Sequence, residues 1–143
     1  MTSRIASNGK KIEPSIIKSK NIKEFDKIDL SQKNINLIKQ SMYKVVNEVR
    51  GTANKSKSNL YEFSGKTGTS QVKKITIQER ESEDFRKVEK EWKNKDHALF
   101  VGFTSSDNPK YAISVIIEHG GSGASVAAPI AKKVFDFMHE LEI

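Results

Sequence analysis

The sequence predicts an α+β domain: a small antiparallel sheet of three strands with helices packed on it, one of them at the C-terminus. Three observations carry that prediction. Apolar residues recur at spacings of three and four through residues 31–50, which is the period of a helix. Two alternating runs, HALFVGFTS and KYAISVIIEH, flank the turn letters Ser106, Asp107, Asn108 and Pro109 and read as a hairpin. A second broad apolar stripe closes the chain over residues 125–141. With 143 residues and 36% hydrophobic content, the chain supports one modest core and not two.

Taken in order, residues 1–30 carry short apolar pieces at Ile12, Ile16, Ile17 and Ile22, broken by Gly9, Pro14 and many lysines, and predict an irregular lead-in. Residues 31–50 predict an amphipathic helix with Ser31 as N-cap, a stripe of Ile35, Ile38, Met42, Val45, Val46 and Val49, and Gly51 as the stop. Residues 60–72 alternate through Tyr61, Phe63, Thr67, Thr69 and Val72 and predict a strand with glycine at its centre. Residues 73–96 are mostly charged, and Phe85, Val88 and Trp92 are spaced to give a short helix one sticky stripe on a surface excursion. Residues 97–119 form the hairpin. The closing helix, 125–141, presents Ala127, Ile130, Ala131, Val134, Phe135, Met138 and Leu141 on one face.

The net charge of +7 invites a nucleic-acid reading, which its distribution argues against. Residues 1–50 hold eleven basic and five acidic side chains, residues 51–96 eleven and eight, and residues 97–143 three and five. All but four of the 25 basic residues are lysine, interleaved with Asn, Ile and Ser rather than with aromatics and arginines. No nucleic-acid partner is predicted. With no cysteine there is no disulfide, no Cys-ligated metal and no Cys nucleophile, and His97, His119 and His139 lack metal-ligand spacing, so neither metal nor cofactor is predicted. The chain has no run of eighteen apolar residues and no signal-peptide pattern at its start, so the expectation is a cytoplasmic polypeptide if it is expressed alone.

The stretch SGKTGTSQV raises the sharpest functional question. Gly65-Lys66-Thr67 matches the end of a phosphate-binding loop, but that loop needs a glycine at position 60, which is Leu60. Lys-Thr-Gly-Thr on a strand is instead the third motif of the serine acyltransferases that react with penicillin, beside Ser-x-x-Lys and Ser-x-Asn. The context agrees. IASNGKKIEP, MYKVVNEVRGTA, GKTGTSQV, DHALFVGF and NPKYAISVIIEHGGSGASVAAPIAKKVFDF together resemble the C-terminal part of the transpeptidase domain of bacterial penicillin-binding proteins, most closely the penicillin-binding protein 2 group of the cell-elongation machinery.

That resemblance, which runs almost end to end, implies a partial penicillin-binding transpeptidase fold and D,D-transpeptidase chemistry. In it a serine attacks the D-Ala-D-Ala end of a peptidoglycan stem peptide and is acylated by β-lactams. It implies that Lys66 supplies positive charge and aids the proton relay, and that Thr67 and Thr69 bond the substrate carboxylate. Gly68 would permit close approach, and the Thr69 N–H would be one of two oxyanion donors. The family is anchored in the inner membrane with a periplasmic domain.

In the family the other two motifs precede the segment resembling IASNGKKIEP, so the resemblance implies a truncated enzyme that lacks its nucleophile and is inactive alone, or a split one whose nucleophile comes from the missing N-terminal part on another chain. Three strings imitate the missing motifs: Ser15 to Lys18, Ser41 to Lys44, and Ser106-Asp107-Asn108. The first falls in the lead-in, the second on a structural helix and the third in a hairpin turn, so all three read as decoys. Trp92, His97 and His119 read as packing or surface residues. The alternative is a non-catalytic binding or scaffolding module derived from the same fold.

Overall fold

The computed structural model describes residues 1–17, 25–82 and 91–141. Its regular elements are helices α1 (Thr2–Ala6), α2 (Gln32–Asn47), α3 (Ile77–Glu81) and α4 (Ala128–Glu140), and strands β1 (Phe63–Ser70), β2 (His97–Thr104) and β3 (Tyr111–Ile117). The strands form one antiparallel sheet in the order β1-β2-β3. The α+β architecture predicted from the sequence is therefore the one observed. β2 is central, and its Ala98, Phe100, Gly102 and Phe103 are buried. On β3, Tyr111, Ile113, Val115 and Ile117 are half-buried while the residues between them are exposed, as expected of a strand with one solvent face.

The chain divides into two compact units, and each strand contributes residues to both. The first comprises residues 1–66 and 101–113. Within the lead-in read as irregular, residues 2–6 form a turn of helix that packs on α2, followed by a left-handed turn at Asn8 (φ 58) and Gly9 (φ 90). The positive φ of Gly9 disfavours any side chain, and a Cβ there would also press on Cδ1 of Ile35 at 3.0 Å. The bridge Lys10 to Lys27 then ties the lead-in back on itself. Ser31 caps α2 as predicted, its hydroxyl accepting from the Asn34 N–H at 3.3 Å.

The helix buries Ile35, Met42 and Val46. The rest of the predicted stripe departs from the core: Ile38 is partly exposed, and Val49 is 92% exposed because α2 ends two residues before it. Gly51 is not the residue after the helix. It tucks under the last turn, where a Cβ would overlap the Val45 carbonyl oxygen, and the Ala53 N–H donates to that same oxygen at 2.9 Å. Asn47 Nδ2 donates to the Phe63 carbonyl at 3.0 Å and so joins the end of α2 to the start of β1. Ala6, Met42 and Phe103, flanked by Ile5 and Val101, form a buried apolar cluster in this unit.

The second unit comprises residues 67–100 and 114–143. The predicted helix through Phe85, Val88 and Trp92 is only partly accessible to description: Phe85 and Val88 lie outside the described residues, and Trp92 opens a single 3-10 turn, Trp92–Asn94. After β3 the chain turns through Gly120 and Gly121 into one turn of π-helix, Gly123–Ala127, which leads directly into α4. Ala127, Ala128, Ala131 and Phe135 are buried. The predicted face was broader: Ile130 and Val134 sit at its margin, and Leu141 is about half exposed.

Candidate functional site

Lys66, Thr67, Gly68 and Thr69 all lie on β1, an edge strand of the described sheet. The strand begins buried, at Phe63, Ser64 and Gly65, and emerges at Lys66, so the motif occupies the half that reaches solvent. Thr67 and Gly68 are half-buried, while Lys66 and Thr69 are exposed. An edge strand leaves one row of backbone groups able to pair with an extended peptide. Gly68 is crowded from within the sheet as well, since a Cβ there would lie 3.3 Å from Cβ of Leu99 on β2.

Lys66 lines an apolar cavity of about 450 Å³ together with Met1, Ile5, Leu37, Ser41 and Val45. Ser41 is thus near the motif lysine, yet its hydroxyl donates to the Leu37 carbonyl at 2.8 Å, one helical turn back. Its sequence partner Lys44 reaches instead for Glu48 Oε1, at 3.6 Å. The Ser41 hydroxyl is thus held by the helix backbone, and the lysine three positions on pairs with a carboxylate rather than with it. Ser15 likewise donates to a backbone carbonyl, that of Ile17 at 2.9 Å, and Lys18 lies outside the described residues.

The third imitation has a structural partner that turn chemistry did not foretell. Ser106 shares a hydrogen bond of 2.9 Å with Ser64, a fully buried residue two positions before Lys66. Ser106 and Asp107 also line a polar recess of about 620 Å³ with Tyr43, Lys44 and Glu62. There Tyr43 donates to Glu62 Oε1 at 2.7 Å, and that hydrogen bond, with burial and the Glu62 charge, holds the phenol above its ordinary value.

His97, His119 and Trp92, read from the sequence as packing or surface residues, form one cluster. The His119 N–H donates to Nδ1 of His97 at 3.0 Å, and the rings of Trp92 and His119 are 4.5 Å apart. Among the described residues no group of three His, Asp or Glu side chains is arranged to hold a metal ion, and no helix is long and apolar enough to cross a membrane.

Sequence reasoning also missed Gly123. It is buried, and a Cβ on it would overlap the carbonyl oxygens of both Gly68 and Leu99. In the sequence it is one of three glycines punctuating a bend, and no local signal separates it from Gly120 or Gly121.

Comparison with known proteins places this geometry. Residues 1–136 match the family model described as the penicillin-binding protein transpeptidase domain. The peptidoglycan D,D-transpeptidase MrdA of Haemophilus influenzae is 41% identical over 100 residues, covering 69% of this chain and 15% of its own length. The MrdA of Acinetobacter baumannii is 44% identical over 87 residues, covering 61% of this chain and 12% of its own. The chain therefore spans about one seventh of the length of these curated relatives.

Among solved structures, penicillin-binding protein 2 of Pseudomonas aeruginosa in complex with WCK 5153 superposes with a TM-score of 0.68 at 32% identity, over 94% of this chain and 27% of that one. The complex between penicillin-binding protein 2 and MreC of Helicobacter pylori gives 0.62 at 28% identity, over 77% and 18%. Coverage of nearly the whole chain by the family model, together with an α+β fold that places Lys-Thr-Gly-Thr on an edge strand, leads to one conclusion: this chain belongs to the penicillin-binding protein transpeptidase domain family.

Proposed function

We propose that this chain forms the Lys-Thr-Gly side of a D,D-transpeptidase site and that the attacking serine comes from another part of the transpeptidase domain. The observation that carries the reading is the placement of Lys66 to Thr69 on the solvent-reaching half of an edge strand. A stem peptide ending in D-Ala-D-Ala, or a β-lactam in its place, would lie along that edge. Lys66 would offer its ammonium to the developing charge and the proton relay, and the Thr67 and Thr69 hydroxyls would hold the carboxylate. The Thr69 N–H would donate to the oxyanion, where a fixed donor is worth more than a mobile one because it needs no reorganisation during the reaction.

The hydrogen bonds of Ser15 and Ser41 to backbone carbonyls, and of Ser106 to Ser64, support reading these serines as structural. The partner is then the segment bearing Ser-x-x-Lys and Ser-x-Asn, and the substrate class is peptidoglycan. Labelling with a fluorescent penicillin tests this directly. The 143-residue chain by itself is expected to show no covalent band at its own mass. Mixed with a polypeptide carrying the two earlier motifs, it should produce a band on that polypeptide, reduced about a hundredfold or more by Lys66→Ala. A band at the mass of this chain, abolished by boiling, would make one of its own serines the nucleophile and overturn the proposal.

A further inference from the structure

Residues 119–123 carry the chain from β3 into the π-helical turn, and they are fastened at two backbone points. His119, in the left-handed region at φ 54, donates its N–H to Nδ1 of His97 at 3.0 Å. Gly121, at φ 83, donates its N–H to the Asp96 carbonyl at 2.8 Å. The His119 ring adds a third tie, its Nδ1 lying 3.1 Å from the Lys95 carbonyl. All three anchors are consecutive residues, Lys95 to His97, that lead into β2.

From this fastened corner the chain passes to Gly123. A Cβ there would overlap the Gly68 and Leu99 carbonyl oxygens and stand 2.9 Å from the Gly68 nitrogen. The two glycines are demanded for different reasons. Gly121 has nothing within 4 Å of the place a Cβ would occupy, so its positive φ is what calls for glycine. Gly123 rests on the backbone of β1 and β2, and no rotamer change on either strand can make room for a methyl group there.

We propose that the 119–123 corner is a brace for the Lys-Thr-Gly strand. Gly123 is a positioning residue that holds the Gly68–Thr69 peptide in place, and His97 holds the corner that carries Gly123. The catalytic consequence rests on the reading of the Thr69 N–H as an oxyanion donor, because such a donor must sit within a few tenths of an ångström of its working position. The brace itself rests only on contacts within this unit. His97 acts through Nδ1 as an acceptor, which requires its ring proton on Nε2. Asparagine places its Oδ1 at the same branch position and can accept the same bond, whereas alanine cannot.

The amide proton–nitrogen correlation spectrum of the 143-residue chain tests the brace. Gly123→Ala is expected to move the Gly68 and Thr69 amide signals. His97→Ala should shift the same two amides, and His97→Asn should return them to their original positions. Gly9→Ala, crowded in the other unit, should lower thermal stability and leave both amides in place. Gly68 and Thr69 signals that stay put in folded Gly123→Ala overturn the brace. If Gly123→Ala does not fold, the two His97 variants decide: equal spectra for His97→Ala and wild type overturn it, and loss with Ala restored by Asn supports it.

Penicillin acylation of the assembled enzyme separates this from the functional reading. With the amides moved, a loss of roughly a hundredfold is expected from misplacement of a reacting group. Unchanged acylation would remove Thr69 from the oxyanion hole and leave the brace standing.

Discussion

Helices α2 and α4 are held in their units by different means. α2 buries Ile35, Met42 and Val46, side chains of medium size. α4 buries Ala128 and Ala131 with one large residue, Phe135, and its lead-in buries Gly123 and Ala127. Small residues bring backbone against backbone, and Gly123 reaches that limit on Gly68 and Leu99. A contact made by long side chains can yield by changing rotamers, whereas a backbone contact transmits any displacement. Each unit holds one such contact, Gly51 under the last turn of α2 and Gly123 on β1 and β2, and in the second unit it bears on the strand that carries Thr67 to Thr69.

The largest effect that could break this comparison is expected at Phe135. It is 2% exposed and the one bulky buried side chain of α4, so Phe135→Ala should cost about 3–5 kcal/mol through lost burial and an unfilled cavity. Chemical denaturation measures it, and a cost under about 1 kcal/mol would show that the alanines alone hold the helix. Next comes a matched pair of substitutions. Ala131→Leu should destabilise by about 1–3 kcal/mol because the site has no room, while Met42→Leu on α2 should cost less than about 1.5 kcal/mol because volume is conserved. Equal costs for the two would erase the distinction between the helices.

A smaller effect is expected where α2 begins. Ser31→Ala removes the acceptor for the Asn34 N–H and should cost about 1 kcal/mol, read as a lower thermal midpoint, with Ser31→Asp restoring it. The smallest is a pH effect at the Tyr43 to Glu62 bond. The phenol is raised above its ordinary value of 10.0, so the folded state holds that proton more tightly than the unfolded one. The contribution is therefore complete below pH 10.0 and is lost as pH rises through the folded-state value. Tyr43→Phe should flatten the alkaline end of the stability profile, and an unchanged slope would assign the loss to other groups.

Several features were legible because they are local. The period of Ile35, Met42 and Val46, the cap at Ser31 and the alternation of the hairpin are written in residues a few positions apart, and the structure contains each of them. The strand under Lys-Thr-Gly-Thr was legible for the same reason. Val49 was misplaced because the helical spacing continues past Asn47, whereas the backbone turns extended at Glu48 and folds under at Gly51. Ser106 was read as a turn letter because its partner Ser64 lies 42 positions away. The His97 to His119 bond spans 22 positions and was hidden for the same reason.

By itself, then, the sequence determined the α+β class, the helical and hairpin segments and the strand that presents Lys66 to Thr69, because periodicity, capping and turn chemistry act between near neighbours. Only the tertiary structure decided which glycine bears on the motif. Gly120, Gly121 and Gly123 are interchangeable as letters in a bend, and what distinguishes Gly123 is the backbone of Gly68 and Leu99, brought against it by the fold. Close approach is a property of two segments at once, and a chain read one residue after another carries no record of it.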